Sequence, residues 1–132
     1  MNLSPNKEIV QQYVAAFNRG DLQGLRGLFA EDAEIQGVLG RGVVDQVMPI
    51  WKQLVEGYRM QLAIEGMVEE GDTVAVRYTE TGTFVAPAFG HEPTGKSYTL
   101  VAMEWFQLAN GRITRRWGAR DGASQARQLG IL

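Results

Sequence analysis

Glu104, Arg115, Arg116, Arg120 and Asp121 stand in runs where a plain core strand would carry apolar residues. Glu104 lies within Val101-Ala102-Met103-Glu104-Trp105-Phe106. A carboxylate among such neighbours is partly stripped of water, which suits a general base. The alternative is an ion pair with Arg116 or Arg77 across a sheet. A guanidinium is a permanently charged fork, so Arg116 can hold an anionic ligand group or an enolate. It can also neutralise Glu104 or lie on the outer face. Asp121 follows a strand end and precedes a helical turn. It is a candidate catalytic acid or base, and equally a helix N-cap. Arg115 and Arg120 read as solvated or interfacial.

Four more residues join the candidates. Tyr78 and Glu80 share one strand face, because side chains alternate along a strand. Facing inward, Glu80 is a second acid and Tyr78 can stabilise a developing oxyanion; facing outward, both belong to a dimer surface. Trp117 reads as a pocket wall or core residue. His91, the single histidine, sits in a loop rich in proline and glycine, where it either contacts a ligand or is solvated.

The elements that must position these groups follow from pattern. Ser4-Pro5 resembles an N-cap with proline at the first helical position. Ile9, Val10, Tyr13, Val14 and Phe17 recur on one helical face. Gly20 can stop that helix and Asp21 can cap the next. Helices are expected within residues 5–20, 21–30 and 42–56, with Pro49 kinking the third or marking its start. A short strand is expected at 33–38. From residue 60 the period changes to two: Met60, Leu62 and Ile64 alternate with Gln61, Ala63 and Glu65. Glu70-Gly71-Asp72 is a turn, 73–84 a long strand and 85–95 a loop. Asn110-Gly111 joins strands 96–108 and 112–119 in a hairpin, because both turn positions need positive φ. Residues 122–129 form a helical turn or two. Helices first and an antiparallel sheet afterwards predict an α+β fold, in which three helices on one face of a curved sheet leave a cone with an open end.

Composition narrows the classes. The 132 residues suit one domain, 1–132, and 45% are hydrophobic. Net charge is −2, and the only basic cluster is Arg112, Arg115, Arg116 and Arg120, so nucleic acid is not an expected partner. The absence of cysteine and the lone histidine speak against a metal site, a disulfide framework or a Ser-His-Asp triad. The start, MNLSPNKE, has no apolar signal core, and no run is long enough to span a membrane. A cytoplasmic location, no membrane and no cofactor are expected. The stretch Gly37 to Gly42 (GVLGRG) does not fit a phosphate-binding pattern.

The chain also resembles a known family. Tyr13-Val14-Ala15-Ala16-Phe17-Asn18-Arg19-Gly20-Asp21 is similar to the opening helix of SnoaL-like proteins, within the NTF2-like superfamily. Glu70-Gly71-Asp72-Thr73-Val74-Ala75-Val76-Arg77 resembles that family's central turn and strand. Gly82-Thr83-Phe84 and Pro93-Thr94-Gly95-Lys96 resemble its GTH…PPTGK segment. Asn110-Gly111-Arg112-Ile113, Trp117, Asp121 and Gln128-Leu129-Gly130 resemble its ending. The resemblance covers nearly the whole chain; the order and spacing of the motifs carry it. It implies an α+β cone enclosing a deep apolar pocket, in a homodimer.

The family, often labelled polyketide cyclase or ester cyclase, is similar in its cyclases at two positions: a His on the penultimate strand and an Asp near the end of the last. The ungapped match places these at Glu104 and Gly118, and Arg116 at the His of the family's "HW" pair. Two functions stay open. The first is a cofactor-independent enzyme of cyclase or isomerase type, moving a proton on an apolar carbonyl compound, with Glu104 as base and Arg116 and Tyr78 stabilising an oxyanion. The second is a non-catalytic small-molecule-binding or accessory domain, favoured by replacement of the family His and Asp.

Overall fold

The computed structural model of the chain describes residues 3–38 and 40–132; Met1, Asn2 and Leu39, the last within the glycine-rich stretch, lie outside the described residues. The order is α1 (Pro5–Asn18), α2 (Leu22–Gly27), β1 (Phe29–Gly37), β2 (Gly40–Val43), α3 (Val44–Glu56), β3 (Gln61–Glu70), β4 (Thr73–Thr83), β5 (Ser97–Ala109), β6 (Arg112–Arg120) and α4 (Gly122–Leu129). The caps act as expected. Ser4 Oγ accepts from Lys7 N at 3.1 Å, with Pro5 opening α1. Asp21 caps α2 by accepting from Gly24 N at 2.8 Å. Asn110 (φ 53°) and Gly111 (φ 76°) form the hairpin turn between β5 and β6. Pro49 lies inside α3 rather than at its start.

The six strands form one sheet in the order β2-β1-β6-β5-β4-β3. It is mixed, not antiparallel throughout: β1 runs parallel to β6. A parallel neighbour needs a long crossover, and here everything from β2 to β5 intervenes. This pairing also corrects two boundaries. The second helix ends at Gly27 rather than near residue 30, because Ile113 N donates to Leu28 O at 2.9 Å and Phe29 pairs with Ile113 in the sheet. Gly42 and Val43 pair with Ile35 and Glu34 as part of β2, so the third helix begins at Val44. Among the described residues the helices number four, the C-terminal turns forming α4.

One irregularity determines what the last strand buries. On β5, Tyr98, Leu100, Ala102, Phe106 and Leu108 are buried and alternate with outward residues. On β6, Ile113 faces inward, but the register with β5 then shifts: Leu108 pairs with Ile113 and Gln107 with Arg115, leaving Thr114 extra. The Thr114 hydroxyl donates to Gln107 O at 3.1 Å. Such a bulge puts two residues opposite one. Without it, Arg115 and Trp117 would share the inward face of Ile113. With it, Arg116, Gly118 and Arg120 do.

The helices cover the concave face around an aromatic cluster. Tyr13 packs edge-on to Phe106 at 5.1 Å between ring centroids and to Phe29 at 6.1 Å, and Trp51 lies against Phe29 at 5.6 Å and Phe17 at 6.3 Å. The opposite face leaves Val101, Met103 and Trp105 about half exposed. Deleting Thr114 is expected to cost more than about 3 kcal/mol in urea unfolding, because it strips buried carboxylates of their cations. Thr114→Ala, which keeps the bulge and loses one exposed hydrogen bond, should cost at most about 1 kcal/mol.

Candidate functional site

The concave face of the sheet carries two carboxylate–guanidinium pairs. Their positions follow from cross-strand register. Val76, Glu104 and Gly118 lie in one row across β4, β5 and β6, and Tyr78, Ala102 and Arg120 in the next. Small residues at Ala102 and Gly118 leave space for the long polar chains around them. A Cβ on Gly118 would lie 2.5 Å from Arg116 Nη1 and 3.5 Å from Glu104 Oε2. Any larger residue at 118 would displace the pair.

In the first cluster Glu104 Oε2 accepts from Arg116 Nη1 and from the Tyr13 hydroxyl, the latter at 3.0 Å. Both ion-pair side chains are over nine-tenths buried. Glu104 Oε1 is buried with no hydrogen-bond partner. The Tyr78 hydroxyl, near Glu104, is likewise buried and makes no well-formed hydrogen bond. In the second cluster Glu80, 1% exposed, accepts from Arg120 Nε at 3.0 Å, from Arg120 Nη2, and from the Tyr98 hydroxyl at 2.5 Å. Arg120 Nη1 is buried and unpartnered.

Both clusters line one cavity of about 70 Å³, closed on the helical side by Tyr13, Phe17 and Trp51 among others. Tyr78, Glu80, Glu104, Arg116 and Arg120 all border it. Each pair is internally neutralised, and removing one member of such a pair costs about 3–5 kcal/mol, since an uncompensated charge is left buried.

The other candidates lie elsewhere. Trp117 faces outward, as it must when Arg116 faces inward. Arg115 stacks over its ring at 4.6 Å and pairs with Glu34 at 3.2 Å. Asp121 is exposed and caps α4 by accepting from Ser124 N at 2.9 Å. His91 is exposed in the 85–95 loop and does not line the cavity. Arg77 faces outward, so Arg116 is the partner of Glu104. Arg120 is the clearest departure from expectation: it is a buried partner of Glu80, not a solvated side chain. The alternation 116, 118, 120 carried that signal. Tyr13 and Tyr98 were legible only as core positions, since their hydroxyl partners come from strands distant in sequence.

Burial shapes the acid–base behaviour. It raises the Tyr13 and Tyr78 phenols well above their ordinary range, with the Glu104 charge adding to it. Burial and then Glu80 raise Tyr98, and burial raises Tyr58. Burial works to lower the Arg120 guanidinium, but the hydrogen bonds and charge of Glu80 outweigh it, so the net shift is upward. All four tyrosines of the chain are thus held neutral. In the unfolded chain they ionise at about pH 10, so their contribution to stability is full below that pH and is lost as pH rises above it. Phenolate absorbance is expected to appear at higher pH in the native protein than in the unfolded chain, while urea stability falls as pH increases beyond about 10.

Comparison with known proteins agrees with this architecture. The SnoaL-like polyketide cyclase family model matches residues 7–129. AclR from Streptomyces galilaeus, a candidate hydroxylase, superposes with a TM-score of 0.86 at 23% identity, over 96% of each chain. IdmH from Streptomyces antibioticus, a candidate polyketide cyclase, gives 0.83 at 26% identity, over 96% of this chain and 99% of its own. A candidate polyketide cyclase from Xanthomonas campestris pv. campestris gives 0.83 at 26% identity, over 95% and 96%. The curved mixed sheet, the helices on its concave face and the match over nearly its full length make this chain a member of the SnoaL-like polyketide cyclase family, with the NTF2-like fold.

Proposed function

We propose that the protein is an enzyme of cyclase or isomerase type that moves a proton on a small, uncharged carbonyl compound. The observation that carries this reading is the divided state of Glu104. One oxygen is held by Arg116 and Tyr13, and the other is buried with no well-formed hydrogen bond, with the Tyr78 hydroxyl near the carboxylate. A carboxylate oriented through one oxygen, with the other open to a cavity, has the form of a general base.

The chemistry follows from the substrate's own carbonyl. Glu104 Oε1 takes a proton from the carbon beside the carbonyl. The C–H electron pair becomes an enolate, whose oxygen accepts a hydrogen bond from Tyr78. Arg116 stays charged beside the carboxyl throughout and holds its orientation. The enolate carbon can then bond to a second carbonyl carbon of the same molecule, whose oxygen receives the proton from Glu104; this closes a ring. Alternatively the proton returns at another carbon, which is isomerisation. The carbonyl is the electron sink, so either sequence balances without a further reactant. Excluding water from the cavity strengthens each of these interactions.

The test uses proton exchange rather than a guessed product. In deuterium oxide, the wild-type protein is expected to exchange the α-hydrogens of members of a panel of small ketones, followed by proton NMR. The paired variant Glu104→Gln with Arg116→Met leaves no charge unmatched. It should melt near the wild-type temperature and lose exchange by about 10²-fold or more. A non-catalytic binding domain is the second reading, favoured by Glu104 and Gly118 standing where the resemblance places the family's His and Asp. Ketone binding with no exchange in either protein would establish that reading and overturn the first. The outer row Val101, Met103 and Trp105 supports a homodimer joined through that face. Light scattering is expected to give twice the chain mass at micromolar concentration, and Trp105→Glu to give a monomer.

A further inference from the structure

We propose that Arg120, rather than Arg116, receives the ligand's carbonyl oxygen, in a site shared with Tyr78 above Ala102, and that this site selects an uncharged ketone or ester over a carboxylate. The proposal rests on the reading of the cavity as a carbonyl site, but not on Glu104 acting as a base.

The argument starts with the two edges of a guanidinium. Arg120 spends one edge, Nε and Nη2, on the two oxygens of Glu80. Glu80 is itself fixed by the Tyr98 hydroxyl at 2.5 Å. The fork therefore cannot turn, and Nη1 is left buried without a partner. A guanidinium does not lose its proton at neutral pH, so Nη1 is a permanent donor with nothing to donate to. Buried donors are almost always satisfied, and an orphan on a cavity wall marks the place of a missing acceptor.

The second donor lies on the same row. Tyr78, Ala102 and Arg120 are direct cross-strand neighbours on β4, β5 and β6. Ala102 contributes only a methyl between the two long side chains, and the Tyr78 hydroxyl is buried near Glu104 without a well-formed hydrogen bond. Burial keeps that phenol protonated, hence a donor. Two donors on one row, either side of a small residue, can serve one oxygen. Arg116 is differently held: its Nη1 is committed to Glu104 and its Nη2 lies toward β1, 3.7 Å from where a Gly37 Cβ would stand, so its one other buried, unpartnered N–H is Nε, at the stem of the guanidinium rather than at its tip.

Charge decides the ligand class. The two guanidiniums of the cavity are matched by Glu80 and Glu104. A carboxylate ligand would add a third negative charge to a site whose charges are already matched, and like charges at close range disfavour one another strongly. A ketone or ester adds an acceptor and no charge. The cavity of about 70 Å³ suits a compact ligand.

Cyclohexanone is the probe. Its carbonyl stretch, read by infrared difference spectroscopy on the intact protein, should move to lower frequency on binding, because both donors polarise the bond. Arg120→Lys keeps the charge opposite Glu80 and removes Nη1, so it should abolish most of the shift and weaken binding about tenfold or more. Tyr78→Phe removes a hydroxyl that makes no well-formed hydrogen bond to the protein, so it should fold about as well as wild type while showing a reduced shift. Benzoate should bind at least about tenfold more weakly than cyclohexanone. Glu104→Gln, refolded or used as the paired variant with Arg116→Met, should keep the shift even where proton exchange is lost, which separates this proposal from the base. A full shift surviving in both Arg120→Lys and Tyr78→Phe would overturn it. So would benzoate binding as tightly as the ketone, a shift lost only with Arg116, or no cyclohexanone binding by the wild-type protein.

Discussion

Two carboxylates and two guanidiniums lie together on the inner face of one curved sheet, and no one of them could be there alone. Stripping a single carboxylate of water without a cation costs several kcal/mol, a large share of the net stability of a domain this size. Each charge therefore requires its partner, and each pair requires strands in fixed register. Glu104 and Arg116 meet across β5 and β6; Glu80 and Arg120 meet across β4 and β6, over the small Ala102. The pairs bind three strands to one alignment, and a slip of one residue would turn every one of these charges to the wrong face.

That constraint explains residues that otherwise look unremarkable. Gly118 is small because the space its side chain would fill belongs to Arg116 and Glu104. Gly82 is small because a Cβ there would stand 2.6 Å from the Tyr98 ring, and Tyr98 is the third support of the Glu80–Arg120 pair. The bulge at Thr114 lets one strand bury Ile113 against the aromatic core and then present Arg116, Gly118 and Arg120 to the cavity. A regular strand would have buried Trp117 and expelled both cations.

The relation to the family is visible in three positions that differ together. The resemblance places the cyclases' His at Glu104 and their Asp at Gly118, and in this structure those two positions are direct cross-strand partners. Here the acidic group sits on the penultimate strand, the last strand supplies the cation two residues earlier, and position 118 is emptied to make room. The arrangement is a charged, hydrogen-bonded pair aimed into the concave side. Fold alone does not name a reaction; what this cavity offers is a carboxylate oxygen, a phenol and two guanidinium N–H groups, on Arg116 and Arg120, without well-formed hydrogen bonds.

Local signals were enough for much of the architecture. The caps at Ser4 and Asp21, the Asn110-Gly111 turn and the period-two runs after residue 60 are short-range features, and they mark where elements begin, end and fold back. Glu104 and Arg116 could be singled out because ionisable residues in apolar runs are costly and so need a reason. What the sequence could not decide was facing. Arg116 and Trp117 are adjacent and cannot both point inward, and one extra residue at Thr114, set by how β6 pairs with β5 across the hairpin, makes the choice. The parallel contact of β1 with β6 and the early end of α2 depend on strands some eighty residues apart. The roles of Arg120, Tyr13 and Tyr98 have the same origin: each is an ordinary residue until the sheet brings a carboxylate to its polar end. Periodicity is local and written in the chain, whereas the partner that makes a buried charge tolerable is a property of the assembled sheet.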